Sequence, residues 1–496
     1  MLILSIHLGH DSSICVLNNG QVQEYILLER ITRKKHDYDE EVILKLVNTI
    51  CNRLNISILC ISNFNTHNDI ISTIFEECKK YNPNVNLIIQ SDHHLNHASL
   101  SFCNSSFDES LVVVVDGAGS TIKDNLVEVE SIFLFNRRGW DLIYKNVVEE
   151  SSFSVGGLYD IAAVSIGNTP DDCGKAMGLS SYGSPNKLFE NLLTDKSWNI
   201  KPIKNVEPNN YKLHADFCYE VQRQTQKVVG DLIENFVEKT GIKKVCISGG
   251  YGMNIVANYY YLQRFPEVEF YFEPICNDNG VSIGAAINSY KLLTHNLPNQ
   301  IQTTFFHGSH CGVSSYKGKT TSIKDIADLL NRNKSIAVYT GLAESGQRAL
   351  GNRSILFNAL NPNARDIVNQ IKKREWYRPF ACVVLEEDAN IYFDMGKIKS
   401  SPYMTICFPV RKKYVKIIPG VTHVDNTCRI QTVSGGYLYE LLQEFKNLSG
   451  HGILLNTSFN LAGEPLVETP IDALNTLNNS SLDYLWFEET QQLLSR

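Results

Sequence analysis

The sequence has no Cys-x-x-Cys pair, no low-complexity tract and no excess of positive charge. It also has no apolar run approaching the ~18 residues of a membrane span. Each absence removes a class of function. Thirteen cysteines are scattered along the 496 residues without metal or dithiol spacing, which excludes a zinc ribbon or a redox pair. Buried free thiols in a reducing compartment are expected instead. A formal net charge of -7 argues against a nucleic-acid backbone as the main partner, although a local basic patch stays open. The first nine residues are apolar but carry no basic stretch and no small-residue cleavage motif, so no signal peptide is expected. A cytoplasmic protein with no membrane partner follows as the expectation. What remains is ordinary for a soluble globular chain, with 43% apolar and 20% charged residues. At ~150 residues per domain the length suits two or three domains.

Residues 2–6 and 13–17 read as buried strands, and Asn18-Asn19-Gly20 signals a hairpin into a third strand at 22–28. The device recurs about a hundred residues later. Residues 111–115 are an unbroken apolar strand, Asp116-Gly117-Ala118-Gly119-Ser120 turns, and 127–135 returns with strand character. Two such units imply an internal duplication, with each half presenting a polar hairpin. Between them, residues 40–54 carry helical spacing. A further strand, 244–247, runs into Ser248-Gly249-Gly250-Tyr251-Gly252 and a helix from Met253 onward, a loop whose backbone can approach a phosphate. Composition shifts at 296–325, around His307-Gly308-Ser309-His310, and a new unit opens with an amphipathic helix at 323–330 and a strand at 335–339. The domain boundary is placed there, between residues 318 and 319.

Three constellations carry chemistry. His93 and His97 are four apart in Asp92-His93-His94-Leu95-Asn96-His97, so on a helix both imidazoles leave one face and can bind one ion. Alone, that spacing equally describes two solvent-facing histidines, and no adjacent Glu completes a zinc-protease motif. Asp116 at a strand end and Asp278 in Cys276-Asn277-Asp278-Asn279-Gly280 supply two carboxylates, and the set suits iron, manganese or zinc. The second is Gly346-Gln347-Arg348-Ala349-Leu350-Gly351-Asn352-Arg353-Ser354 with Lys372, Lys373, Arg374 and Arg378. Guanidinium groups embedded among Gly, Ala and Leu read as a carboxylate or phosphate clamp rather than a solvated face. The third is Asn456-Thr457-Ser458-Phe459-Asn460, a strand end rich in short donors, open to reading as an anion site or as a satisfied turn.

These motifs, in this order, resemble the NodU/CmcH-type O-carbamoyltransferases along nearly the whole chain. The likeness runs through His10-Asp11-Ser12-Ser13, Glu29-Arg30 with residues 33–36, 93–97, Asp116-Gly117 and Gly174-Lys175-Ala176-Met177-Gly178-Leu179. It continues through 249–254, 277–280, 348–354, 372–380, His423-Val424-Asp425, Arg429-Ile430-Gln431 and 456–460. The resemblance implies an α/β protein: an N-terminal duplicated actin-like (ASKHA, threonylcarbamoyl-transferase-like) domain at 1–318 and a C-terminal YrdC-like α/β domain at 319–496.

It further implies a two-site reaction. Carbamoyl phosphate and ATP give carbamoyl adenylate in the second domain, and the first transfers the carbamoyl group to an acceptor hydroxyl. Arg348, Arg353, Lys372 and Arg378 would offset phosphate charge, with Ser458 and Asn460 as neutral donors. His10 would act as base on, or orient, the acceptor hydroxyl, with Asp11 and Lys35 completing the catalytic set. Gly249, Gly250, Asn254 and Lys175 would bind nucleotide. His93, His97, Asp116 and Asp278 would hold the metal, expected as ferrous iron with manganese or zinc as alternatives, and magnesium would accompany ATP. The sequence departs from the family at Leu28 (usually Glu), Cys173 (often Glu) and Gln347 (commonly Pro), which puts specificity rather than chemistry in question. A tRNA threonylcarbamoyladenosine-type enzyme is the nearest rival, disfavoured by the acidic charge. Hydrogenase-maturation carbamoyltransferases should bring Cys-x-x-Cys pairs, and an actin-like regulator without chemistry would leave the cation cluster purposeless. The acceptor is open among sugars, antibiotics and other small molecules, a nucleotide included, and a homodimer is left open.

Overall fold

In the computed structural model the structure describes residues 1–63, 68–123, 125–195, 198–298, 301, 305–308, 312–313 and 315–496. Ser309, His310 and Cys311 of the composition shift lie outside the described residues. The first sheet is built from β1 (Leu2–Leu8), β2 (Ser13–Asn18), β3 (Gln21–Leu27), β4 (Ile58–Asn63) and β5 (Asn86–Ile89). Their order is β3-β2-β1-β4-β5, antiparallel through the hairpins and parallel from β1 to β4 and β5. The β2–β3 turn needs positive φ at Asn19 (47°) and Gly20 (86°), the chemistry its Asn-Gly step supplies.

The second sheet contains β6 (Glu109–Val115), β7 (Thr121–Lys123), β8 (Leu126–Asn136), β9 (Gly139–Glu149), β10 (Lys244–Ser248) and β11 (Glu269–Phe272). Apart from the short β7 it repeats the first: β9-β8-β6-β10-β11, with the same antiparallel and parallel senses. The duplication expected from two strand–turn–strand units is therefore a repeat of topology. Two boundaries move. β3 stops at Leu27, and Leu28 opens the helix Leu28–Thr32; the helix after the Gly-rich loop starts at Ile255, because the Asn254 side chain caps it at Ala257 N.

Helices His93–Ser105 and Val281–Thr294 pack between the two sheets. Both bury polar side chains, and the burial is satisfied by pairing: Asn288 Nδ2 donates to Asn96 Oδ1 at 2.8 Å, and Ser99 Oγ to Asn288 Oδ1 at 2.6 Å. At Gly284 the backbones approach so closely that a Cβ would stand 1.9 Å from Asn96 O.

The third sheet has nine strands: β12 (Lys319–Thr320), β13 (Ile336–Tyr339), β14 (Arg353–Asn358), β15 (Ala381–Leu385), β16 (Cys407–Pro409), β17 (Thr427–Val433), β18 (Ile453–Ser458), β19 (Tyr484–Phe487) and β20 (Gln492–Ser495). It is a mixed sheet in the order β12-β20-β19-β13-β14-β18-β15-β17-β16. It is not a free-standing module. Phe357, Tyr377 and Phe408 share one apolar cluster with Val113 and Tyr251. Trp376 meets Tyr182 edge-on at 5.1 Å, and its indole N–H donates to Val206 O at 2.9 Å. Arg33 reaches across to Leu466 O at 2.7 Å and Pro465 O at 3.0 Å. Of the twelve described cysteines eleven are buried, Cys173 being partly exposed, which fits the thiol expectation. Among the described residues no helix is long and apolar enough to cross a membrane.

The close contact at Gly284 ties the helix bearing both histidines to the segment bearing Asp278. Gly284→Val should destabilise the protein by about 3 kcal/mol through overpacking against backbone that cannot yield. Thermal unfolding should show a lower Tm, and an unchanged Tm would mean that the two helices separate freely.

Candidate metal centre and a cation-lined cavity

The helix spacing does what the sequence predicts. His93 and His97 project from one face, and Asp116 from the end of β6 and Asp278 from the turn before Val281–Thr294 meet them. One ligand atom from each of the four lies within 4.8 Å of the others. The two imidazole Nε2 atoms are 3.1 Å apart, and His97 Nε2 is 3.2 Å from Asp116 Oδ2 and 3.3 Å from Asp278 Oδ1. His93 Nε2 stands 3.3 Å from Asp278 Oδ1 and 3.6 Å from Asp116 Oδ2. Asp116 Oδ2 is buried and accepts no hydrogen bond.

Burial opposes charge on every member of this set. It is outweighed by mutual attraction: the carboxylates lift His93 to about 10, and the imidazoles hold Asp278 well below the carboxylate range. Two nitrogens and two oxygens so placed fit a divalent transition metal, the ion supplying the charge that extra protons would otherwise supply. The distances do not choose among iron, manganese and zinc.

A buried carboxylate that the sequence reading missed fixes this helix start. Glu128 Oε1 accepts His94 N at 3.2 Å and Ser120 N at 3.1 Å, and its other oxygen pairs with Lys145. Burial would raise it, but His94 and Lys145 hold it down at about 2. Asp92 caps the same helix at Leu95 N, 3.0 Å.

The β1–β2 turn is the counterpart, in the first half, of the Asp116 turn in the second, and the two face each other. His10 Nδ1 lies 3.3 Å from Asp11 Oδ2, and His10 Nε2 lies 3.3 Å from Asp278 Oδ2. The hydrogen bond to Asp11 is the main reason His10 is raised to about 9, with burial opposing and Asp278 assisting. Asp11 also holds His36 Nδ1 at 3.0 Å and adopts φ 59°, an uncommon conformation for a non-glycine residue. Lys35 faces the same space, its pKa lowered by burial and by Arg378 from the third sheet's unit.

Gly249 has φ 82°, and a Cβ there would meet Val115 O at 2.3 Å; a Cβ on Gly250 would stand 3.0 Å from Asp116 Oδ1. The Gly-rich loop thus abuts the His93, His97, Asp116 and Asp278 cluster. Two nucleotide candidates are engaged by protein. Asn254 Oδ1 accepts from Ala257 N, and its Nδ2 donates to Tyr159 Oη (2.9 Å) and Gln222 Oε1 (3.1 Å). Lys175 Nζ bonds Asn168 Oδ1 (2.7 Å), Asp172 (3.1 Å) and Glu375 (3.0 Å), which makes it a bridge between the units.

The cation string divides. Arg348 lines the cavity and donates to Met253 O at 3.3 Å, and Arg378 lines it beside Glu375 at 3.4 Å. Ser458 and Asn460 line it too. Arg353 corrects the clamp expectation. It is wholly buried, donates to Thr340 O (2.6 Å), Asn352 O (2.9 Å) and Gly341 O (3.1 Å), and stacks 3.6 Å over Tyr339, away from the cavity.

Lys372 is likewise buried. It binds Ser458 Oγ and backbone oxygen and Asn460 Oδ1 (2.7 Å) and O (2.9 Å), so it holds those residues from behind. Arg374 and Arg429 take the vacant places. Both line the cavity, and both lie well below the usual guanidinium pKa, chiefly from burial and then from neighbouring arginines. Each stood in a motif string, but nothing in the string says which guanidinium faces inward.

One cavity of about 880 Å³ joins the two ends. His10, Asp11, Asp116 and Asp278 lie at one end, Gly250 and Met253 along its wall, and Arg348, Arg374, Arg378 and Arg429 at the other. His97→Ala or Asp278→Asn should weaken binding of ferrous iron, manganese or zinc at least about tenfold, since each removes one of four ligands. Glu128→Gln should weaken it less. Metal titration followed by calorimetry reads this, and wild-type affinity in Asp278→Asn would remove the centre.

The profile described as Carbamoyltransferase N-terminus matches residues 63–287, and that described as Carbamoyltransferase C-terminus matches 327–493. An uncharacterized protein of Methanocaldococcus jannaschii, MJ1058, is 30% identical over 80% of this chain and 72% of its own length. Nodulation protein NolNO of Sinorhizobium fredii is 32% identical over 79% of this chain and 62% of its own. An uncharacterized Synechocystis protein, sll1178, is 26% identical over 97% of this chain and 94% of its own length. With both halves matched in order and the tetrad and cation cluster at the seam between them, the chain belongs to the carbamoyltransferase family.

Proposed function

We propose that the protein is an ATP-dependent O-carbamoyltransferase working in two steps within one cavity. At the arginine end, water hydrolyses carbamoyl phosphate to carbamate and inorganic phosphate. The carbamate oxygen then attacks the α-phosphorus of ATP, forming carbamoyl adenylate and releasing pyrophosphate. At the metal end, an acceptor hydroxyl attacks the carbamoyl carbon and AMP leaves. The single observation that carries this reading is the continuity of the cavity between the two ends. Carbamoyl adenylate is prone to hydrolysis, and one cavity serving both steps shortens its exposure to water.

Arg348, Arg374, Arg378 and Arg429 hold the phosphates by charge-assisted hydrogen bonds, with the second amide hydrogen of Asn460 as a neutral donor, while the Ser458 hydroxyl turns to Asn460 Oδ1. The Gly249–Gly250 backbone admits the adenylate phosphate beside the metal ligands. The ion bound there, ferrous iron in this reading, supplies Lewis-acid charge. Asp11 fixes one His10 nitrogen and directs Nε2 at the acceptor, and the neutral ring, whose fraction grows as pH rises toward about 9, takes the acceptor's proton. Lys35 contacts the transferring group or the nucleotide phosphate. The acceptor is a sugar, antibiotic or other small hydroxyl compound.

With ATP and carbamoyl phosphate the protein should release pyrophosphate, and a panel of hydroxyl compounds read by mass spectrometry should reveal a carbamoylated product. His10→Asn should lower transfer by about 10²-fold, the usual size of a general base, while leaving pyrophosphate release largely intact. Loss of that release as well would sink the separation into two steps. Arg348→Ala should abolish release, and full activity there would remove the anion clamp.

A further inference from the structure

The loop at residues 346–353 carries Arg348, and its backbone is held from both sides. Its carbonyls face outward to side chains of both units. Arg30 donates to Gly346 O at 3.1 Å, Asn456 to Ala349 O at 3.3 Å, Gln431 to Leu350 O at 2.7 Å, and the Tyr437 hydroxyl to Gly351 O. Its amides turn inward onto a single atom. Glu344 Oε1 accepts Leu350 N at 2.7 Å, Asn352 N at 2.9 Å and Arg353 N at 3.2 Å. Gly351 makes the winding possible: it takes φ 124°, and a Cβ would stand 2.5 Å from Leu438 Cδ1.

Glu344 is 1% exposed, and its other oxygen is buried without a hydrogen-bond partner. A buried carboxylate in that state is not built for solvent or for ligand. What it has is three backbone donors, which a charged oxygen binds about twice as strongly as a neutral one. It is fixed in turn by a bridge to Phe306 and by Ser345 N donating to Phe305 O at 2.8 Å.

We infer that Glu344 is the positioning residue for Arg348: its carboxylate winds the loop so that the Arg348 guanidinium faces the cavity beside Met253. This rests on the reading of Arg348 as a phosphate clamp. Ala would leave the Leu350, Asn352 and Arg353 N–H groups, two of them buried, without this acceptor and unfold the loop. Gln keeps the acceptor oxygen but loses the charge, so Glu344→Gln is the useful variant.

The test is a double-variant cycle read by calorimetric binding of carbamoyl phosphate and, separately, inorganic phosphate to the full chain. Glu344→Gln should weaken carbamoyl phosphate about tenfold. In the Arg348→Ala background the same change should add less than about twofold, because the residue it positions is gone. Peptide-level hydrogen exchange should rise at residues 350–353 while β18 stays protected. Unaltered binding in Glu344→Gln overturns the inference, and so do fully additive losses in the double variant or exchange that rises throughout the third sheet. If the wild type binds inorganic phosphate but not carbamoyl phosphate, the activation reading fails, and the cycle run with phosphate still decides the role of Glu344.

Discussion

Everything in this structure depends on keeping like charges together at a seam. Arg348, Arg374, Arg378 and Arg429 line one end of a cavity, and among the described residues only Arg378 has a carboxylate within 4 Å. At the other end two carboxylates crowd two imidazoles. Two like unit charges ~8 Å apart in an effective dielectric near 20 repel by about 2 kcal/mol. No flexible loop would hold the arginines against that repulsion, whereas the tetrad gains from attraction between its imidazoles and carboxylates. Both sets persist because each is mounted on backbone fixed elsewhere, and because each is suited to a counter-ion of opposite sign: an anion at the arginine end, a cation at the tetrad.

The mounting explains why the two units share a core. Arg348 belongs to the chain of the third sheet, yet it bonds the Met253 carbonyl of the first unit's Gly-rich loop. Lys175 joins Asp172 to Glu375 across the same seam, and Arg33 grips the Pro465–Leu466 backbone. Separate the units, and both the wall of the cavity and the orientation of its charges are lost. A reaction that hands a labile intermediate from one end to the other needs such a wall throughout.

The sequence made the scaffold legible where burial writes a pattern. The apolar runs of β1 and β6 and the Asn-Gly turn announced a duplication that the sheet orders repeat strand for strand. The tetrad was legible because helical spacing and strand-end aspartates are local signals. The arginine end was only half legible. Arg348 and Arg353 share one motif, and Lys372 and Arg374 another, but one member of each pair faces the cavity and the other a cage of oxygens. That choice is made by the register of β14 and by the turn after Lys372, which no composition reveals. Asn254 carries a related ambiguity, since a helix cap and a ligand donor look alike in sequence and this residue caps its helix at the cavity wall.

Least legible were Glu128 and Glu344, acidic residues in ordinary strand and turn contexts. Each binds backbone amides rather than a ligand. Glu128 holds the start of the histidine helix, and Glu344 winds the Arg348 loop. The parallel has a physical logic. A side chain that must bind a ligand has to leave its own polar atoms free, so it cannot anchor itself. The anchoring falls to the backbone beneath it, and a buried carboxylate can gather several amide donors onto one oxygen. Arg353 and Lys372 are the cationic counterparts, gathering carbonyls where Glu128 and Glu344 gather amides. Arg353 and Lys372 therefore build the site that Arg348, Arg374 and Arg429 face.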